Sequence, residues 1–128
     1  MRTPKPSHSN APTKEKVAVL AGWLEDKKAR DIVAFDLARE NSLSEAIVIA
    51  TATSVRHAQG LAEHVLQAAK EAQYEFLRME GNTVGQWILL DLNDVIVHIF
   101  QTDARDLFRL EDLWTGSPVL ADTRRRED

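Results

Sequence analysis

The most constraining stretch of this chain is the run EGNTVGQWILLDLNDVIVHIF, which occupies residues 80 to 100. Residues 86 to 91 and 94 to 100 are rich in Ile, Leu, Val and aromatic side chains, which favour β-strands. Between them lie Leu92 and Asn93, and Asn tolerates the left-handed backbone that a tight hairpin turn requires. The stretch therefore predicts two antiparallel strands joined by a short turn and preceded by a glycine-rich approach.

The parity of positions in this hairpin predicts which side chains share a face of the sheet. If the loop has two residues, an odd position on one strand faces an even position on the other. Moving the turn by one residue, to Asn93 and Asp94, leaves the grouping unchanged, whereas a three-residue loop would break it. One face is then mixed in character and carries Trp87, Leu89, Asp91, Asp94, Ile96 and His98.

The opposite face of the predicted hairpin is aliphatic and carries Ile88, Leu90, Val95, Val97 and Ile99. Such a face requires a helix packed on it. The mixed face is typical of a surface that is covered only part of the time, so its six residues are the candidate partner-binding residues. Among these six residues, we expect Trp87 to be the anchor of the contact with the partner. His98 is either an interface residue or a half-buried sheet histidine.

The rest of the chain supplies the helices and further strands. We predict a disordered tail over residues 1 to 12, a helix with Thr13 as its N-cap, strands over 31 to 38, 46 to 53 and 75 to 79, and a long helix over 54 to 73. Trp23, on the first helix, is either a docking residue or an edge-of-core aromatic. Residues 103 to 114 predict short helical turns with four inward-facing residues, Leu107, Leu110, Leu113 and Trp114.

These elements predict an α/β fold with a mixed five-stranded sheet and two main helices on one face. We expect one folded domain over residues 13 to 118 and a flexible C-terminal tail over 119 to 128. Because two helices cover only one face while several strands are apolar on both, part of the second face is left without cover. An uncovered apolar patch usually marks a partner or self-association site.

Composition narrows the classes of function. The chain has 128 residues and a formal net charge of −4, which argues against nucleic-acid binding as the main activity. It has no cysteine, which excludes a disulfide scaffold and a thiol nucleophile. It also shows no apolar run long enough to cross a bilayer and no signal peptide, so we expect a cytoplasmic protein without membrane contact.

No arrangement of residues in the chain predicts catalysis, a metal or a cofactor. His57 and His64 are seven positions apart, about 10.5 Å along a helix, so they cannot ligate one ion. Asp91 and Asp94 are the only candidate carboxylate pair for a metal, and the Gly-Ser and D-x-D signatures of nucleotidyltransferases are missing. We therefore expect an interaction protein that is not an enzyme.

Several motifs together resemble the ribosomal silencing factor (Iojap) family. They are ATATSVRHAQGLAEHV at residues 50 to 65, the hairpin stretch itself, the earlier DIVAFDLA and the later LEDLW, and the similarity covers residues 16 to 118. The chain departs from the family where Asn93 replaces the usual hairpin Gly, and where Ser54 and Val55 replace a pair of serines.

The resemblance implies a non-catalytic protein with a nucleotidyltransferase-like sheet that binds ribosomal protein L-fourteen on the large subunit. By occupying that intersubunit surface it would block joining of the small subunit and repress translation. Homodimers are seen in the family, and contact with ribosomal RNA would be at most peripheral. Two alternatives remain open: a large-subunit assembly factor, and a degenerate nucleotidyltransferase that retains nucleotide binding.

Overall fold

The computed structural model describes residues 12 to 37 and 44 to 124. The elements, in chain order, are α1 (Thr13–Asp26), β1 (Arg30–Asp36), β2 (Ala46–Ala52), α2 (Val55–Glu71), β3 (Arg78–Glu80), β4 (Trp87–Asp91), β5 (Val95–Gln101), α3 (Thr102–Phe108), a 3₁₀ helix (Leu110–Trp114) and β6 (Val119–Asp122). The predicted N-terminal tail, apart from Pro12, lies outside the described residues. No helix in the described part of the chain is long and apolar enough to cross a membrane.

The sheet is mixed and has six strands in the order β3-β4-β5-β2-β1-β6. Only β2 and β5 are parallel neighbours, and the other pairs are antiparallel. The expectation of five strands is wrong because residues 119 to 122 form β6, which pairs with β1 through Ala34 and Ala121. Those four residues are therefore part of the sheet and not of a flexible tail. Their strand identity comes from the edge of β1, which local sequence does not reveal.

Two hydrophobic clusters lie on opposite faces of the sheet. On one face, α1 and α2 cover the aliphatic side chains of the central strands, and most of these are fully buried. This confirms the prediction of two main helices on one face. On the other face a smaller cluster is covered by Ala104 of α3 and by Leu110 and Trp114 of the 3₁₀ helix.

The two main helices begin differently. Ser54 caps α2 by accepting a hydrogen bond from the His57 backbone N–H at 3.0 Å. The prediction that Thr13 caps α1 is wrong. Pro12 occupies the N-cap position without a side-chain cap, and the Thr13 hydroxyl donates to Glu45 instead.

The hairpin between β4 and β5 closes with the two-residue loop Asn93-Asp94, since the backbone N–H of Leu92 donates to Val95 O at 2.9 Å. Asn93 has φ of 76°, the left-handed conformation expected for this position. Leu89 pairs with His98 and Asp91 with Ile96. The predicted parity of the hairpin is therefore confirmed.

Candidate partner-binding surface

Five of the six candidate residues lie together on the less covered face of the sheet. Register places Trp87, Leu89 and Asp91 of β4 beside Phe100, His98 and Ile96 of β5, respectively. We call Trp87, Leu89, Asp91, Ile96 and His98 the hairpin surface. Trp87, Leu89, Asp91 and Ile96 are half-buried, whereas the alternate positions Ile88, Leu90, Val97 and Ile99 are fully buried under the helices.

Two glycines before β4 allow close approaches of the chain, Gly81 to β4 and Gly85 to α2. Gly81 has φ of 83°, and a Cβ there would lie 2.1 Å from Trp87 O. Gly85 has φ of 76°, and a Cβ there would lie 2.6 Å from Cγ1 of Val55 at the start of α2. Both positions therefore require glycine for conformation and for space. The glycine-rich approach fixes where Trp87 enters the sheet.

Trp87 is held by a cluster of aromatic rings. Its ring centroid lies 4.8 Å from Phe100 and 5.0 Å from Phe108, and its Nε1–H donates to His98 Nδ1 at 2.9 Å. The indole is therefore partly a packing residue and partly open to solvent. The sequence of residues 80 to 100 does not predict the contact with Phe108, because Phe108 lies on α3, outside that stretch.

His98 is 7% exposed, so its imidazole supports the hairpin surface from below. Burial lowers the pKa of His98 to about 4, so the ring is neutral near pH 7. Because Nδ1 accepts from Trp87, the proton of the neutral ring resides on Nε2. This environment matches the sheet-histidine alternative more closely than an exposed interface residue.

Asp94, the sixth candidate, does not join the others. Its Oδ2 lies 2.7 Å from Nζ of Lys16, a fully buried residue of α1 whose Nζ is 4.9 Å from the Tyr74 ring centroid. Desolvation, and after it the nearby Asp94 carboxylate, raises the pKa of Tyr74. The expectation that Asp94 faces the same way as Asp91 is wrong, because a turn residue is free to follow a distant partner.

Asp91 also has partners within the chain. Its Oδ1 accepts from the Asn93 backbone N–H at 2.8 Å, and its Oδ2 is 3.7 Å from Nε of Arg78. Each carboxylate of the hairpin therefore has a cation or a donor of its own. The carboxylates of Asp91 and Asp94 are thus held by different partners and do not form a pair.

Helix α3 places apolar side chains at the surface next to Trp87. Leu107 is 76% exposed and Phe108 is 53% exposed. The prediction that Leu107 and Leu113 face inward is wrong, whereas Leu110 and Trp114 do pack on the sheet. The prediction assumes one continuous helical period over residues 103 to 114. The structure has two short helices there, separated by the left-handed backbone of Arg109, with φ of 46°, so the period of the first does not continue into the second.

Arg105 fixes α3 to the ends of two strands. It is 6% exposed, and its Nη1 donates to Asp31 O and, at 2.7 Å, to Thr51 Oγ1. Its Nε donates to Glu111 of the 3₁₀ helix at 3.0 Å. A buried cation with partners on three elements holds the helix in one position relative to Trp87.

Two shallow grooves flank Trp87. One, of about 380 Å³, is lined by Glu80, Gly81, Trp87 and Leu89. The other, of about 220 Å³, lies between α3 and the adjoining strand ends and is lined by Gln86, Gln101, Asp103, Ala104, Leu107 and Phe108. We call the second one the α3 groove. Sequence reasoning missed it because it depends on how α3 packs beside β4.

Trp23 and His57 lie on the side of the sheet that α1 and α2 cover, and both make contacts within the fold. Trp23 packs on Tyr74 with ring centroids 5.5 Å apart, as the edge-of-core alternative expected. His57 links α2 to the end of α1, since Thr53 N–H donates to its Nδ1 at 2.9 Å and its Nε2 is 2.7 Å from Lys27 O. Within the residues that the structure describes, no group of three His, Cys, Asp or Glu residues could hold a metal ion.

The fold is an α/β protein whose sheet is fully covered on one face and half covered on the other. The chain matches the family model described as "Ribosomal silencing factor during starvation" over residues 10 to 128. It belongs to the ribosomal silencing factor family.

Individual relatives agree with this assignment. The chain is 38% identical over 98 residues to ribosomal silencing factor RsfS of Haemophilus influenzae, covering 77% of this chain and 96% of the relative. It is 34% identical to RsfS of Bacillus subtilis over 79% of this chain and 86% of that one. A crystal structure of a Chromobacterium violaceum protein superimposes with a TM-score of 0.75 at 31% identity, covering 89% of each chain.

Proposed function

We propose that this protein binds the large ribosomal subunit in the cytoplasm through ribosomal protein L-fourteen and sterically blocks joining of the small subunit. Translation is thereby repressed without any chemical step. Family membership supports ribosome association. The observation that carries the proposed site is the half-covered sheet face, where Trp87, Leu89 and Ile96 remain partly open to solvent.

The hairpin surface suits a basic protein partner. It offers an aromatic anchor and two aliphatic side chains, and the carboxylates of Asp91 and Glu80 share one cation, Arg78, which leaves this margin with a net negative charge. The chain as a whole has a formal net charge of −4, which favours contact with a basic ribosomal protein over contact with anionic ribosomal RNA. Large aromatic residues at the centre of an interface usually carry most of its binding energy, so Trp87 is the proposed anchor.

A sedimentation assay tests this function directly. Purified large and small subunits are mixed with and without excess protein and separated on a sucrose gradient. We expect the protein to sediment with the large subunit alone and the joined particle to be lost. Sedimentation with the small subunit, or with neither subunit, would contradict the proposal.

Substitution of Trp87 tests the site. Trp87→Ala is expected to weaken large-subunit binding well over tenfold, since truncation of a hot-spot residue costs about 2 kcal/mol or more. Because Trp87 also packs on Phe100 and Phe108, the variant loses stability as well. Trp23→Ala is the matched control, as it removes a half-buried Trp from the helical side of the sheet. Equal binding by the two variants would show that Trp87 is not the anchor.

A role in large-subunit assembly is the second candidate. The chain is 25% identical to a mouse protein named "Mitochondrial assembly of ribosomal large subunit protein 1" over 77% of this chain, although it spans only 45% of that protein. An assembly factor would sediment with precursor large subunits, and its depletion would make those precursors accumulate. Unchanged precursor profiles after depletion would favour silencing alone.

We further propose that the sheet is related in topology to nucleotidyltransferases without retaining their activity, and that the chain forms a homodimer. Calorimetry with nucleotide and magnesium ion separates this from the rival in which nucleotide binding survives. Heat release that saturates with nucleotide would support the rival.

Sedimentation velocity over a range of protein concentrations tests the dimer.

A further inference from the structure

The α3 groove has a composition that selects its occupant. Of its six lining residues only Asp103 is charged at neutral pH, and it stands in the first turn of α3. Leu107 and Phe108 supply exposed apolar surface on the same groove. The groove therefore combines one carboxylate, an aliphatic side chain and part of an aromatic ring.

A long cationic side chain is complementary to this combination. Lys and Arg bury their methylene stems on apolar surface while their charged heads reach a carboxylate or lie near an aromatic ring. The groove, of about 220 Å³, is smaller than the ~300–1,000 Å³ of most small-molecule sites, so a single side chain suits it better than a whole ligand or a segment of helix. Arg105 anchors α3 to the sheet, so the groove exists before binding.

We infer that the α3 groove receives a Lys or Arg side chain of the basic ribosomal partner and forms a second contact beside the hairpin surface. This inference rests on the proposed function, because the partner is the ribosomal surface named there. Trp87 contacts Phe108, so the two contact regions are continuous.

A second copy of this chain fits the groove less well. A two-fold symmetric contact places the same patch of both subunits face to face. Asp103 is exposed and lines the groove, so such a contact would bring the Asp103 carboxylates of the two copies towards each other. A basic partner gains from the same carboxylate.

The experiment compares four variants of the full chain in quantitative binding to purified large subunits. Asp103→Asn removes the charge, and Asp26→Asn on α1 is its matched control. Leu107→Ala removes exposed apolar surface, and Val19→Ala on α1 is its control. Leu107 and Asp103 are exposed, so folding is expected to be retained in both variants and is checked by circular dichroism.

We expect Leu107→Ala and Asp103→Asn each to lower affinity about five- to tenfold, while both controls bind as the original chain does. The effect of Asp103→Asn should shrink at higher salt, because the interaction is partly screened. Loss of binding in Leu107→Ala with no effect of Asp103→Asn would indicate an apolar occupant and overturn the inference.

Three further outcomes are also decisive against it. If both groove variants bind large subunits normally, the groove inference fails and the proposed function stands. The same holds if the variants lose self-association in sedimentation velocity but keep large-subunit binding, since the occupant is then a second copy. If the original chain fails to bind large subunits, the proposed function itself fails, and this inference fails with it.

Discussion

The two faces of the sheet are made from the same strands and differ in almost every physical respect. Under α1 and α2 the side chains are aliphatic, and Leu90, Val97 and Ile99 are fully buried. On the other face the neighbouring positions hold Trp87, Leu89 and Ile96, which remain partly exposed. Because strand residues alternate between faces, the five-residue strand β4 contributes to the core on one face and to a partly exposed surface on the other.

The two faces also differ in how their polar groups are paired. On the face under α1 and α2, Lys16 and Asp94 form a buried ion pair at the end of the hairpin. The open face keeps its buried histidine neutral and uses it to orient an indole. Charge is therefore paired where water is excluded, and the polar groups that meet on the less covered face, Trp87 Nε1–H and His98 Nδ1, are already hydrogen-bonded to each other.

The largest expected effect comes from breaking the ion pair on the helical side. Lys16→Met should lower the free energy of unfolding by about 3–5 kcal/mol, because the Asp94 carboxylate loses its cation while it remains largely buried. Adding Asp94→Asn should recover part of the loss by removing the unpaired charge. Chemical denaturation measures both, and a cost below about 1 kcal/mol for Lys16→Met would show that the pair is not needed.

Neighbouring leucines on β4 test the difference between the faces most directly. Leu90→Ala should cost about 2–5 kcal/mol, because its side chain is fully buried under the helices. Leu89→Ala, one residue away on the half-covered face, should cost about 1 kcal/mol or less. Equal changes in the denaturation midpoint would mean that the open face is packed as tightly as the core.

Acid should weaken the protein through His98. The pKa of His98 falls from its ordinary value of 6.5 to about 4 on burial, so the unfolded chain takes up the proton first. The stabilising contribution is present above pH 6.5 and is lost as pH falls to about 4, amounting to about 3 kcal/mol. His98→Leu should flatten that part of the pH profile of unfolding. An unchanged profile would place the titrating group elsewhere.

The smallest expected effect is at the surface of α3. Leu107→Ala should change the free energy of unfolding by less than about 0.5 kcal/mol, because most of that side chain is in water. A larger loss, measured by the same denaturation experiment, would mean that Leu107 supports the packing of α3. Its effect on binding would then no longer report on the groove alone.

The hairpin, its parity and the aliphatic face could be predicted from the chain alone. These depend on neighbours a few positions apart: alternation along β4 and β5, and an Asn that accepts the left-handed turn. The same is true of α2, whose Ser54 cap and apolar stripe lie within one continuous segment. Short-range patterns of this kind are visible in the chain before it folds.

The sixth strand, the direction of Asp94 and the surface of α3 depend on contacts that no local pattern predicts. Strand β6 is defined by the edge of β1, far away in the chain. Asp94 points towards Lys16, which is 78 residues away in the chain, and not in the direction that parity predicts for a strand over residues 94 to 100. Leu107 is exposed because α3 is fixed by Arg105 and ends at the left-handed Arg109. Each outcome depends on a contact between distant segments, and periodicity within one segment carries no information about such contacts.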